Sequence, residues 1–455
     1  MKNTSHEIIS LVRDKAAAKG IKALFFLHEE NSSLMRLRDS AVSMNTSEHL
    51  TRLDIKVFGE KNIGHILAMG NIADEDYVEG LLYKAAERAK VNSGMTKLPA
   101  LPVIEKSIEI ERQFDTELAE LDSIRKADFY KKVMEKTGTQ YSYSGSWSSG
   151  SVKLFATSTA NTNSLMQKLT DQSCNLVLQH PKKYWELKQI QNSWKFSALS
   201  PEKMAKDFLN ILPIYEKNEG VRLENGRYRV LFGPQALGTL VELVVSSGFT
   251  ANLYEEKQSW TSKFKKGDRI LPENISIIDD PSEAYVFGRD FDDCGILRTA
   301  FPLIENGKLG NIAYKFQEAA YYQKQPTGHD KEIDAVMKPG KDTKDPLEAM
   351  KSYDKVLYVP FLHYPGIPNL SKGLFTASTR FNAMLWENGK FVAPIFSSRI
   401  TDTLENIFGN ISKMSSESVM ANMSTTYAKR EPIGISIPSY IISDNVNITD
   451  SAVSF

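Results

Sequence analysis

Three turn signals of nearly the same composition punctuate the second half of the chain: Glu224-Asn225-Gly226-Arg227, Glu305-Asn306-Gly307-Lys308 and Glu387-Asn388-Gly389-Lys390. Asn-Gly supplies the two positive-φ positions of a type I′ turn, whose twist matches a pair of antiparallel strands. Strand-forming residues follow each signal: RYRVLF, KLGNIAY and KFVAPIF. The C-terminal half is therefore expected to be dominated by antiparallel sheet, with hairpins at these three places. The flanks share only strand character, so the three turns read as a coincidence of turn chemistry and not as a repeat.

The first half alternates helix and strand signals. An amphipathic helix is expected to about Lys19, a strand at Ile21 to Leu27, and alternating runs at Ser33 to Asn45, Leu53 to Phe58 and His65 to Met69. A helix follows at Asp74 to Lys90, then a connector at Val91 to Lys106 broken by Ser93-Gly94, Pro99 and Pro102. Further helices are expected at Asp115 to Lys136 and Pro201 to Lys217. Between them, Gln140 to Val152 (QYSYSGSWSSGSV) suits a strand and tight turn. Later, Lys324 to Ser352 is a long polar stretch of the kind that is either functional or mobile. Thr401 to Ser412 reads as a last helix, and Ile433 to Ile442 as a closing strand with Pro438 at or near an edge. These patterns give an α+β fold: an N-terminal mixed α/β domain over 1–218, and a C-terminal domain over 219–455 with mainly antiparallel sheet and a few helices.

At 455 residues the chain can hold two or three domains, and 41% hydrophobic with 25% charged residues is enough apolar material for a packed core. The 56 basic residues cancel the 56 acidic ones, so no overall field draws the chain to nucleic acid or an anionic membrane. The N-terminus lacks the apolar run of a signal peptide, and no apolar window approaches the ~20 residues of a membrane helix. Cys174 and Cys294 are the only cysteines, too few for a disulfide framework or a thiolate metal cluster. A cytoplasmic location is expected.

The segment Gly233 to Trp260, GPQALGTLVELVVSSGFTANLYEEKQSW, opens with a helix between Pro234 and Gly248. Leu237, Leu240, Val241, Val244 and Val245 follow the spacing of a buried stripe. Glu242 is its only charge before Glu255. A zinc protease helix would place a His just before that Glu and another a turn later, so that two imidazoles hold the ion and the carboxylate takes a proton from bound water. Aliphatic and hydroxyl side chains stand there instead.

After this helix come Ser259-Trp260, Gly267-Asp268, Ile275 to Ile278 ending in Asp279-Asp280-Pro281, Phe291-Asp292-Asp293, Gly295 and the hairpin Phe301 to Gly307. Pro326-Thr327-Gly328 and Pro438-Ser439-Tyr440 complete the series. In this order and spacing, over most of 225–445, the chain resembles the TldD/PmbA family of peptide-maturation proteins, also called modulators of gyrase. The resemblance implies a two-domain α+β protein that works as a dimer, whose catalytic member is a zinc metallopeptidase with His-Glu-x-x-x-His on the helix and a distant Cys as third ligand. Laid on this helix by its Glu, the motif puts Val241 and Ser246 where the histidines would fall and Glu242 on the Glu. Cys174 and Cys294 lie well before the segment that carries the family's Cys. The chain therefore looks like the PmbA (TldE) branch, which lacks the zinc set and accompanies a TldD-type partner.

No other metal set is expected, since His6-Glu7 and His28-Glu29 have no second His within two turns. Glu242 is expected to cap a backbone group or pair with a base. Thr327, Gly328, His329 and His363 lie in segments that could line a peptide groove, although a structural histidine is the commoner role. The serines of 144–151 lack a nucleophile elbow, and Asp292 and Asp293 would raise the pKa of Cys294. The expected function is a non-catalytic subunit of a TldD/PmbA-type peptidase acting on unfolded peptides, with zinc in the partner and no cofactor in this chain. The alternative is a stand-alone homodimeric peptide-binding scaffold.

Overall fold

A computed structural model describes residues 4–91, 97–329, 334–424 and 429–455, so parts of the expected connector (92–96) and polar stretch (330–333) lie outside the described residues. The first half is organised around a seven-stranded sheet. At its centre are two long strands, Ala23–Arg38 and Ala41–Phe58, joined at Asp39 and Ser40, both of which have positive φ. Ile63–Met69 extends the sheet on one side and Ser142–Ser158 on the other. Ser164–Gln179 comes next. Its far side is shared by Ile108–Gln113, which runs parallel to it, and Glu186–Ser193, which runs antiparallel.

The runs expected at Ser33 to Asn45 and Leu53 to Phe58 are thus pieces of two continuous strands and their turn. Gln140 to Val152 joins a turn at Thr139-Gln140 to the long strand Ser142–Ser158, with no turn among its serines and glycines. Its glycines allow close strand approach: a methyl at Gly145 would lie 2.4 Å from the Asn175 carbonyl oxygen, and one at Gly150 2.1 Å from that of Asn31.

Side-chain alternation along Ala23–Arg38 feeds two cores. Phe25 and Leu27 pack with Ile8, Ile9 and Val12 of the helix Ser5–Ala18 and with Val78 and Leu82 of the helix Glu75–Lys90. Phe26 points to the other face, against Ile104, Leu154 and Phe291. At the far end of the sheet, the helices Ser123–Thr137 and Pro201–Lys217 enclose Trp147 and Trp185 with Phe129, Tyr130 and Phe208.

Two sheets build the second half. The nine-stranded sheet runs Leu362–Asn369, Leu374–Thr379, Ser398–Thr403, Ile441–Ser451, Gly226–Phe232, Lys355–Val359, Met384–Glu387 and Lys390–Pro394, with Ile411–Met414 also on Ile441–Ser451. The six-stranded sheet runs Lys308–Leu309, Phe301–Glu305, Ile277–Asp279, Ala335–Met337, Gly434–Pro438 and Ser418–Asn422. Pairing is antiparallel throughout except for Lys355–Val359 on Gly226–Phe232 and Ala335–Met337 on Gly434–Pro438. The chain is an α+β protein, as its sequence patterns imply.

Two of the three Asn-Gly signals form hairpins. Asn306 and Gly307 have φ of 49° and 73°, and Asn388 and Gly389 have 50° and 84°. Asn225-Gly226 does not, because no strand of the same hairpin precedes it; Gly226 simply opens a central strand whose partners come from 355–359 and 441–451. The helix expected at Thr401 to Ser412 is shorter, Leu404–Gly409, with strand residues on both sides. Ile433 to Ile442 is split between two sheets, and Ile441–Ser451 is the closing strand. Pro438 ends an interior strand, where its missing N–H leaves no ladder position unfilled. No helix among the described residues is long and apolar enough to cross a membrane.

Arg430 ties the second half into the first sheet. Its guanidinium donates to both Asp171 carboxylate oxygens at 2.6 and 2.9 Å, to the Asp171 carbonyl at 3.0 Å and to Ser148 Oγ at 3.1 Å. Its backbone N–H donates to Glu30 at 2.8 Å, and Glu30 also accepts from Arg52 at 2.7 Å. His28 Nε2 lies 3.0 Å from the Arg430 carbonyl oxygen.

Candidate functional site

The helix Pro234–Gly248 begins with Gly233 as N-cap and Pro234 at its first position, where the fixed φ fits and the absent N–H leaves nothing unpaired. Leu237, Leu240, Val241, Val244 and Val245 are all buried, in one core with Val230 and Phe232 of the nine-stranded sheet and Ile277, Leu303 and Ile437 of the six-stranded sheet. Each fully buried Leu or Val side chain contributes roughly 1.5–3 kcal/mol, so the core fixes the helix between the two sheets. Gly238 meets the strand Ser418–Asn422 so closely that a methyl there would lie 2.3 Å from the Ala421 methyl. The remaining stripe carries Gln235, Thr239, Glu242 and Ser246, spaced to share one side of the helix.

Val241 is 0% exposed and has no donor atom, and Ser246 is half-buried. Glu242 is exposed and has no hydrogen bond or ion pair among the described residues. The expectation that it caps a backbone group or pairs with a base is therefore not met: among the described residues no basic side chain is close enough to take it. Desolvation by the surrounding protein nevertheless raises its pKa. Zinc does not fit this helix, because a methyl-bearing Val and a lone Ser hydroxyl cannot complete a tetrahedral site around one carboxylate.

Neither cysteine comes to this helix. Cys174 is buried in the first sheet, and burial pushes its thiol up to about 12. Cys294, with Asp292 and Asp293, forms the one group of potential metal ligands found among the described residues, all within 4.8 Å. The Lys56 ammonium lies 3.0 Å from Asp293 and 3.3 Å from Asp54, so a cation already sits in this corner. Burial, then the charge of Asp293, drives the Cys294 thiol well above its ordinary range, and burial raises Asp292 to about 6.

The segment Thr327 to His329 forms a buried corner and not a groove wall. Thr327 exchanges hydrogen bonds with the Tyr314 backbone, at 3.0 Å from its N–H and 3.2 Å to its carbonyl. Gly328 turns the chain with φ of 72°. His329, 2% exposed, bonds through Nδ1 to Asp279 and stacks on Phe301 with ring centroids 4.3 Å apart. Asp279 in turn receives Arg298 Nη2 at 2.8 and 2.9 Å, and Arg298 Nη1 reaches Asp334 at 3.1 Å. His329 is thus held in the core by Asp279 on its Nδ1 and Phe301 on its ring.

A groove of about 1000 Å³ does run across the molecule, between the edge strand Glu186–Ser193 of the first sheet and the edge strand Ser418–Asn422 of the six-stranded sheet. Pro234 and Gln235 of the helix and Pro360 and Phe361 line it as well. Both edges carry unpaired ladder groups. The Lys188 N–H donates to Asn382 Oδ1 at 2.9 Å and its carbonyl accepts from Asn382 Nδ2 at 2.6 Å, so the backbone groups of Lys188, and by alternation those of Ile190 and Asn192, point away from the sheet. On the other edge the Asn422 carbonyl accepts from Gln235 Nε2 at 3.1 Å, and the alternating groups of Ser418 and Met420 face outward likewise. The buried Asn192 Oδ1 has no partner.

His363 stands beside this groove, next to Phe361, with its ring 6.5 Å from that of Phe381. Burial, then Arg380 and Lys188, lowers its pKa. Sequence reasoning missed Ile190, Asn192, Lys188, Asn382, Ser418 and Met420. Nothing in a linear pattern marks which strands lie at sheet edges or which edges face each other.

Residues 225–450 match the PmbA/TldA metallopeptidase C-terminal domain. The fold is shared with the TldE of Thermococcus kodakarensis at 18% identity, with 98% of this chain and 100% of that one covered and a TM-score of 0.80. A candidate modulator of a DNA gyrase from Thermotoga maritima is 15% identical, with 98% and 100% covered and a TM-score of 0.77. A second candidate gyrase modulator, from Bacteroides thetaiotaomicron, is 16% identical over 99% and 100%, with a TM-score of 0.74. At these identities the likeness is one of fold. No curated protein matches the chain.

Proposed function

We propose, from the premise that the chain belongs to the TldD/PmbA family, that it is a PmbA/TldE-like, non-catalytic subunit that holds an unfolded peptide for a zinc-bearing TldD-type partner in the cytoplasm. The observation that carries this reading is the groove between two unpaired sheet edges, on a chain whose motif helix has no zinc ligands. An extended peptide laid in the groove could add to one edge, taking backbone hydrogen bonds from Ile190 and Asn192 or from Ser418 and Met420. Main-chain bonding of this kind holds many sequences without reading them closely. The groove's lining includes Lys203, Asp207 and Glu417, a mixture that favours neither acidic nor basic peptides as a class.

Glu242 by itself cleaves nothing in this reading, since it has no metal-bound water to deprotonate. The test is a peptidase assay on the purified chain with zinc and an unfolded peptide, with and without a TldD-type chain from the same host. Cleavage is expected only with the partner present. Chelator-sensitive cleavage by this chain alone would overturn the proposal. Peptide binding by a stable homodimer that ignores every such partner would favour a stand-alone scaffold.

A further inference from the structure

At its Phe361 end the groove meets a cluster of cations held on aromatic rings. Lys188 Nζ lies 5.5 Å from the Phe361 ring centroid and 5.2 Å from that of Phe381. The Arg380 guanidinium lies 4.8 Å from the Phe381 centroid. The two rings stand edge to face, 6.1 Å apart, and His363 completes the corner. Phe361 and Asn382 belong at once to this corner and to the groove wall.

Two features set the corner apart from an ordinary surface patch. The first is charge only partly compensated. The acid Glu186 pairs with Arg380 at 3.0 Å, while Lys188 has no carboxylate partner among the described residues although its ammonium is partly desolvated. Burial, then Arg380, lowers the Lys188 pKa. The second is backbone conformation. Tyr364 and Phe381 have φ of 48° and 56°, a region that bulky side chains seldom occupy, and Asn382, which tolerates it, follows at 53°. Such strain persists where the surroundings impose it, and it clusters at binding sites. Here it aims Phe381 under Lys188 while Asn382 turns back to hold the Lys188 backbone. Tyr364, 79% exposed, leaves an unburied ring at the mouth.

We infer that Lys188 and Arg380, on the Phe361 and Phe381 platform with His363 beside them, form a carboxylate-binding site at one end of the groove. The carboxylate is that of a peptide C-terminus or of an acidic side chain. This rests on the reading of the groove as a peptide site, and it adds a polarity to it: one end of the bound chain is held by charge and the rest by backbone hydrogen bonds.

The test uses the full chain and a dye-labelled, N-acetylated ten-residue peptide of Ala, Ser and Val in three forms: C-terminal acid, C-terminal amide, and amide with one internal Glu. A charge-assisted contact is expected to make the free acid bind roughly tenfold tighter than the amide, and the Lys188→Met variant should remove that difference. A tenfold gain for the internal Glu instead would assign the site to acidic side chains. Equal binding of all three forms would overturn the inference while leaving the peptide groove intact. N-acetylglycine, which needs no groove, gives a second readout. It should raise the His363 pKa in an NMR titration, because its anion offsets Lys188 and Arg380, and it should have no such effect in Lys188→Met or Arg380→Gln. Failure of all three peptides to bind while N-acetylglycine still shifts His363 would sink the groove reading and keep the carboxylate site. No response of His363 to N-acetylglycine would refute the site.

Discussion

Replacing Arg430 with Met removes a guanidinium that is almost wholly buried and directs three hydrogen bonds at Asp171, two to its carboxylate and one to its carbonyl. Asp171 is itself buried, and burial raises its pKa against the pull of Arg430. With the cation gone, the carboxylate is left uncompensated in the interior, a change that typically costs about 3–5 kcal/mol. For 455 residues unfolding as one unit, an unfolding entropy of about 2.1 cal/mol/K per residue sums to about 1 kcal/mol/K, so the midpoint should fall by about 3–5 °C. The pH dependence has a definite sign. A carboxyl whose folded pKa lies above its unfolded one favours the native state below the unfolded pKa and loses that advantage as pH rises through the folded pKa. The deficit of Arg430→Met should therefore be largest near neutrality and shrink towards pH 4. Adding Asp171→Leu should recover most of the loss, because removing both partners leaves no orphaned charge. Calorimetry of the two variants between pH 4 and 8 checks this. A single variant within about 1 kcal/mol of the parent, or a double variant no better than the single, would refute the account.

Three other perturbations have distinct signatures. The His28 pKa is lowered to about 4, chiefly by burial, so the parent should lose about 2 kcal/mol relative to His28→Gln between pH 7 and pH 5, as the unfolded imidazole protonates and the folded one does not; urea unfolding at the two pH values measures it. Glu242→Gln, which removes an exposed carboxylate with no partner among the described residues, should change thermal stability by less than about 0.5 kcal/mol, with any gain developing as pH rises from the ordinary Glu range through its raised pKa. Ile190→Pro deletes a groove-facing N–H on an edge strand where proline is tolerated, so peptide binding should weaken several-fold while the midpoint of unfolding barely moves; peptide titration beside a thermal melt separates the two.

The sequence is most legible where local chemistry decides the outcome. Asn306-Gly307 and Asn388-Gly389 lie between strands adjacent in space, and their positive φ values make the hairpins directly. Asn225-Gly226 carries the same dipeptide without a preceding partner strand, so turn propensity had nothing to join. The helix Pro234–Gly248 is written in its proline, its glycine and its apolar stripe, and its buried residues fall where that stripe puts them. Gln140 to Val152 misleads because serine and glycine signal turns locally, whereas here they permit close packing along a long strand. The groove is illegible for a stronger reason: Ile190 and Asn192 are brought opposite Ser418 and Met420 only by the order of strands in two different sheets. The buried partners of His329 are equally non-local, since Asp279 and Phe301 come from other strands.

Asn382 and Gln235 act as stops on the two sheet edges. Each spends a side-chain amide on a backbone group that an incoming strand would need, Asn382 at Lys188 and Gln235 at Asn422. Between stop and strand end, each edge offers two residues, Ile190 and Asn192 or Ser418 and Met420, a span of about 7 Å at the usual rise per residue. The edges therefore work as a short ruler. A guest chain can register against only a few residues, so lengthening it beyond them adds no further ladder bonds, and the same stops leave little exposed edge on which a second copy of the protein could nucleate a growing sheet.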